Sequence, residues 1–147
     1  MALQERRADI TWTGDLKGDG KLTVGSGVFR DLPVDFSART ESPKGKTSPE
    51  ELIAAAHATC YAMAFSHALA TAGTPAERLQ VTAVCSLDRK PEGGLKITGM
   101  NLNVRGWVRG LNQQRFQQLA KEAEGACPVS NALRNNVDIR LTAQLQS

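Results

Sequence analysis

Aromatic residues make up only 5% of this chain, and nowhere do 18 apolar residues run together. Scarce rings leave no row of platforms on which single-stranded nucleic acid could stack. The missing apolar run argues against an ordinary membrane span. Charge of one sign is lacking too: 18 basic residues face 15 acidic ones, for a net +3. The longest basic clusters, Arg6-Arg7 and the Lys44/Lys46 pair, are too short to track a phosphate backbone. Neither nucleic acid nor membrane is therefore expected as a partner. The N-terminus has no apolar core of the kind that marks a secretory leader, so a cytoplasmic location is expected.

Cysteine is scarce as well, with three in 147 residues. A single domain spanning 1–147 is expected from the length. Such a domain buries roughly two-thirds of its unfolded surface and needs no disulfide merely to fold. Cytosolic chains rarely keep structural disulfides. The three cysteines therefore either pack as small apolar residues, their commoner fate, or do chemistry.

What is present reads as an α+β chain. Ala8 to Thr13, Lys21 to Phe29 and Val34 to Thr40 have strand patterning, separated by turns at Asp15–Gly20 and Asp31–Pro33. Three such strands suggest a meander. Ser48, Pro49 and Glu51 then supply an N-cap, an N1 proline and the far end of a capping box. The helix they open runs to about Ala72, with Gly73 and Pro75 beyond its end. It is small and apolar nearly all round, which predicts a buried central helix. At about 24 residues and 36 Å it is long for so small a domain to enclose, so a partner chain is expected to help cover it. Leu79 to Arg89 and Leu95 to Val108 read as a hairpin about Pro91–Gly94, Asn112 to Glu124 as a helix closed by Gly125, and Pro128 to about Asn135 as a shorter one. Val137 to Leu145 is the last strand. The order is βββα-ββαα-β, with antiparallel sheets expected around the long helices.

Cys60 falls near the middle of the long helix, where burial is the ordinary reading. Cys127 is less ordinary: it precedes Pro128 at a helix N-terminal edge, a position that favours an anion. Cys85 alternates within a strand and is assigned no role. His57, Cys60 and His67 share roughly one helix face. The last spacing spans nearly two turns, too far for one ion, and no metal site is expected. A peroxidase would need one thiolate to attack the O–O bond, a second thiol to form the disulfide, and a cation to hold the first deprotonated. Composition alone does not choose that cation.

The segment Thr47-Ser-Pro-Glu-Glu-Leu-Ile-Ala-Ala-Ala-His-Ala-Thr-Cys60 resembles the hallmark segment of the OsmC/Ohr family, the osmotically inducible and organic hydroperoxide resistance proteins. Gly125-Ala-Cys-Pro-Val-Ser-Asn131 is similar to the family's second cysteine motif, and Phe36-Ser-Ala-Arg39 to the arginine segment of its OsmC branch. The resemblance implies an intertwined homodimer reducing organic hydroperoxides without metal, haem or flavin. Electrons would come from an external dithiol such as a lipoylated protein. It implies that Cys60 is peroxidatic and Cys127 resolving, that Arg39 holds the Cys60 thiolate, and that Glu50 steers Arg39. Arg30 is the alternative cation, because Ohr-like members carry their arginine earlier. Ser48 stands where the family frequently has Asn, an equivalent cap. Glu50 and Cys60 are ten residues apart, about 15 Å along a continuous helix. The long helices of two subunits are therefore expected to cross near Ala55, so that Glu50 of one serves Cys60 of the other. Ala, Leu, Ile, Met63 and Phe65 around Cys60 favour alkyl or aryl hydroperoxides over hydrogen peroxide. The rival reading is a non-catalytic module binding a hydrophobic ligand on the same fold.

Overall fold

A computed structural model describes residues 1–147. The chain divides into two compact units, Met1–Leu52 and Ile53–Ser147.

The first unit holds the expected meander. Strands β1 (Ala8–Thr13), β2 (Asp19–Val24) and β3 (Leu32–Asp35) pair antiparallel in that order, with Ile10 opposite Leu22 and Gly20 opposite Val34. Two strands are shorter than their sequence suggests. β2 stops at Val24 because the Gly25–Gly27 turn takes over: the Gly27 N–H donates to Val24 O at 2.8 Å. β3 stops at Asp35, and Ser37–Thr40 forms a one-turn helix, α1, rather than more strand. The cause is local capping. Asp35 Oδ1 accepts from the Ala38 N–H at 2.8 Å and from the Ser37 hydroxyl at 3.0 Å.

Helix α2 (Pro49–Thr71) begins in the first unit and continues in the second without a break. Ser48 Oγ accepts from the Glu51 N–H at 3.2 Å, so the serine caps as expected. The Glu51 carboxylate takes the Thr47 hydroxyl at 2.8 Å instead of the serine's backbone N–H, leaving only half of a capping box. At the far end Gly73 adopts φ +81, and the Gly73 and Thr74 N–H groups reach back to Ala70 O and Leu69 O, each at 3.0 Å. That is the Schellman closure that favours glycine. By length and composition α2 could cross a bilayer, with a mean hydropathy of 1.3. The core helix of a soluble protein passes the same test, and α2 turns Tyr61, Phe65 and Leu69 into protein. Its other face stays open: Ala55, Ala56, Thr59, Met63, Ser66 and Ala70 are exposed, so one chain alone does not bury this helix as its composition suggests.

In the second unit β4 (Arg78–Arg89) and β5 (Leu95–Trp107) form the expected antiparallel hairpin. The final strand, β6 (Asp138–Gln146), pairs with β5 parallel, which corrects the expectation of purely antiparallel sheets. The reason is the connection. Helices α3 (Gln113–Ala126) and α4 (Pro128–Leu133) carry the chain back to the starting end of β5 before β6 begins, as a parallel pair requires. Helix α3 runs through Gly125 instead of closing at it. Phe116, Leu119, Ala120 and Ala123, at helical spacing, form its buried face. Phe116 seats against β5 because position 106 is glycine; a Cβ there would stand 2.5 Å from the ring. Phe65 stacks on Phe116 with ring centroids 5.0 Å apart, and the Tyr61 hydroxyl donates to Ala120 O at 3.1 Å. Each fully buried side chain of this size contributes roughly 1.5–3 kcal/mol, so α2, α3 and the sheet form a stiff platform under the cysteines.

Candidate active site

Cys127 occupies the corner between two helices. Its extended backbone, φ −73 and ψ 116, both ends α3 and caps α4, with Pro128 at the first helical position as the sequence suggested. Its side chain is fully buried within the apolar cluster. Cys60, half-buried on α2, packs against that cluster, and both thiols are reduced. Cys60 lies near enough to Cys127 and to the Val129 N–H for both to act on its thiol. The fold thus brings together the two cysteines that the sequence singled out, from positions 67 residues apart. Cys85 lies on β4 opposite Met100.

Burial pushes the Cys60 thiol above its ordinary value, and the neighbouring Cys127 pushes the same way; the Val129 N–H opposes them. A nucleophilic thiolate at neutral pH therefore needs a cation in addition to these groups. Beside Cys60 lies an apolar groove of about 670 Å³, walled by Met63, Ala64, Ala68, Leu119 and Ala123 with Pro128 at its edge. Met63 lines it, but Phe65, expected to do the same, is buried in the ring stack beneath.

The first unit holds the charged candidates. Arg39 lies in α1, and its Nε donates to Glu50 Oε1 at 2.8 Å. Glu50 is buried in the first turn of α2, and its Oε2 accepts no hydrogen bond. The pairing of Arg39 with Glu50, expected by resemblance, is thus present within one chain. Its supports were not singled out from the sequence. Besides capping α1, Asp35 receives Lys46 Nζ at 2.6 Å, which ties the 41–46 loop back to the strand end. Lys46 is the first cause that holds the Asp35 carboxyl down, to about 2, followed by the Ala38 N–H and the Ser37 hydroxyl. An Asp before a Ser-x-Arg turn was the available signal, since short polar side chains at such positions bind nearby N–H groups. Arg39 also borders an apolar pocket of about 380 Å³ lined by Ile10, Trp12, Leu22, Phe36 and Leu52. Arg30, the alternative cation, lies exposed against Gly27 in the β2–β3 turn.

His57 was weighed in the sequence as a metal ligand. Its Nε2 instead lies 2.7 Å from Ser130 Oγ, and both residues are fully buried. Burial holds the imidazole below its ordinary value, with Glu124 pulling the other way. His67 is exposed and borders the groove beside Cys60.

A family model described as OsmC-like protein matches residues 40–142. The chain is 39% identical to peroxiredoxin OsmC of Escherichia coli strain K12 over 143 residues, 97% of each chain. It is 32% identical to organic hydroperoxide resistance protein OhrB of Bacillus subtilis strain 168 over 122 residues, 83% of this chain and 87% of that one. Among solved structures it is similar to an organic hydroperoxide resistance protein OsmC from Legionella pneumophila. That match has a TM-score of 0.76 and 29% identity, and covers 98% of this chain and 99% of the other.

Proposed function

The chain belongs to the OsmC-like family, and on that premise we propose that it is a cysteine-based hydroperoxide reductase of oxidative stress defence, with Cys60 peroxidatic and Cys127 resolving. The observation that carries the reading is the meeting of Cys60 and Cys127 at the α2–α4 junction, beside an apolar groove. The Cys60 thiolate attacks the terminal peroxide oxygen, the O–O bond breaks, and the alcohol leaves after taking a proton. Cys60 is left as a sulfenic acid, which the Cys127 thiolate converts to a disulfide with loss of water. An external dithiol, such as a lipoylated protein, restores both thiols by exchange. The groove favours alkyl or aryl hydroperoxides, whose tails gain on burial. A reducing cycle of this kind suits the cytoplasm.

Arg39 is the proposed cation, steered by Glu50. Their bond at 2.8 Å supports this, as does the need of the half-buried Cys60 thiol for added positive charge. The working unit is a homodimer in which Arg39 and Glu50 of one chain serve Cys60 of the other. Two features favour that arrangement. Helix α2 is unbroken, so ten residues, about 15 Å of rise, separate Glu50 from Cys60. Its open face, together with exposed Ile10, Trp12, Leu16 and Met63, leaves apolar surface that a second chain would cover.

Thiol counting after one equivalent of cumene hydroperoxide tests the reading. The reductase loses two thiols per chain, and the alcohol appears in step. A non-catalytic binder on the same fold keeps all three thiols, and that result would end the proposal.

A further inference from the structure

The scheme above leaves His57 and Ser130 without a task, although both are fully buried and meet at 2.7 Å. Their placement is not arbitrary. His57 precedes Cys60 by three residues on α2, and Ser130 follows Cys127 by three at the start of α4. Three residues make about one helical turn, so His57 shares a face of α2 with Cys60, and Ser130 lies about one turn into α4 from its cap residue Cys127. The equal offsets run in opposite chain directions, which is the register of two antiparallel segments. The His57–Ser130 bond therefore sits one turn from the Cys60–Cys127 pair.

Apart from Val129, half-buried against the apolar cluster, helix α4 has little else to fix its rotation. It is six residues long, opens at a proline that lacks an N–H, and has no side-chain cap; Ser130 is its one buried residue. Beyond its end, Arg134 binds Glu124 at 2.9 Å, but that contact is partly exposed. Burying His57 also has a cost, because its Nδ1 finds no hydrogen-bond partner. An apolar residue at this position would avoid that cost and would lose only the bond to Ser130.

We propose that the His57–Ser130 hydrogen bond is a positioning device for disulfide closure: it sets the face that α4 turns to α2 and so aims the Cys127 sulfur at the oxidised Cys60. The inference rests on the reductase reading above. In the step concerned, the Cys127 thiolate attacks the Cys60 sulfur, the S–S bond forms and the S–OH bond breaks. The departing hydroxide leaves as water with the proton that Cys127 gave up. Oxidation of Cys60 makes no demand on Cys127, so the bond acts on the second step and not on the first.

The test compares wild type with Ser130→Ala, His57→Leu and Ser130→Thr as full-length reduced proteins mixed with one equivalent of cumene hydroperoxide. Loss of the Cys60 thiol, trapping of its sulfenic acid by dimedone and disulfide formation are followed by quenched mass spectrometry. Ser130→Ala and His57→Leu are expected to consume peroxide at the wild-type rate. They should close the disulfide about 10- to 100-fold more slowly, the scale of an ångström-level misplacement. The dimedone adduct of Cys60 should accumulate accordingly. Ser130→Thr, which keeps the hydroxyl, should close at near the wild-type rate. Undiminished closure in either bond-less variant, or equal slowing of both steps, overturns the proposal. If wild type forms no disulfide at all, the reductase reading fails first and this inference with it.

Discussion

Only Gly20, Ala38 and Glu50 are buried in residues 1–52, whereas residues 53–147 enclose a continuous apolar cluster around Tyr61, Phe65, Leu102 and Phe116. The two regions carry the two halves of the proposed chemistry, and each suits its half. Arg39 is held by a chain of polar ties, with Asp35 capping its short helix, Lys46 bracing Asp35, and Glu50 accepting from the guanidinium. Such ties set direction while allowing movement. The cysteines are set by packing and by one buried hydrogen bond, which fix distance. A cation that tunes a thiolate can tolerate some play, because Coulomb attraction falls off slowly. Two sulfurs that must bond cannot.

The contrast ranks the expected losses. Cys60→Ser, in the packed region, should lower peroxide turnover by at least about a thousandfold, to background, since no other group supplies the nucleophile. A coupled assay with an added dithiol measures it. Arg39→Ala should cost less, about a hundredfold, typical of removing one preorganised charge. Its signature should be recovery with pH. Burial already pushes the Cys60 thiol up, so without the arginine the rising limb of the rate profile moves to higher pH. A profile that falls in height without moving would show that Arg39 orients peroxide and does not hold the thiolate. Glu50→Gln should cost about tenfold, because the arginine remains and only its aim is loosened. If Glu50→Gln proved as damaging as Arg39→Ala, the polar region would be as exacting as the packed one.

Much of this arrangement could be read from the sequence because it depends on local chemistry. Ser48, Pro49 and Gly73 bound α2 by rules of caps and termini, and Cys127-Pro128 marks a helix start whatever the rest of the chain does. The parallel pairing of β6 could not be read in the same way, since an alternating strand looks the same in either direction. The turn at Ser37–Thr40 was missed because its residues alternate as a strand would. The competing signal, Asp35 as a cap, depends on where the loop places Lys46. His57 shows a different limit. Beside Cys60 and His67 on one helix it suggested a ligand set, but its partner, Ser130, is 73 residues away. Only the fold, which brings Ser130 of α4 to α2, reveals what the histidine meets.

That histidine also yields the smallest effect expected here, one of stability and not of rate. Burial holds the His57 imidazole below its ordinary value, against the pull of Glu124. Well above pH 6.5 neither the folded nor the unfolded chain protonates it, and it adds no pH dependence. As pH falls below that point the unfolded chain takes up a proton that the folded chain refuses. Stability is therefore lost on acidification, and the loss ends only once the folded imidazole also protonates. One proton's difference sets the limit at about 1.4 kcal/mol per pH unit. Urea unfolding of wild type and His57→Leu at half-unit steps from pH 7.5 to 5 should show wild type losing stability relative to the variant as pH falls through about 6.5. Curves parallel throughout would mean that the packed region admits the proton freely, and that its rigidity around the cysteines is less than the buried bond suggests.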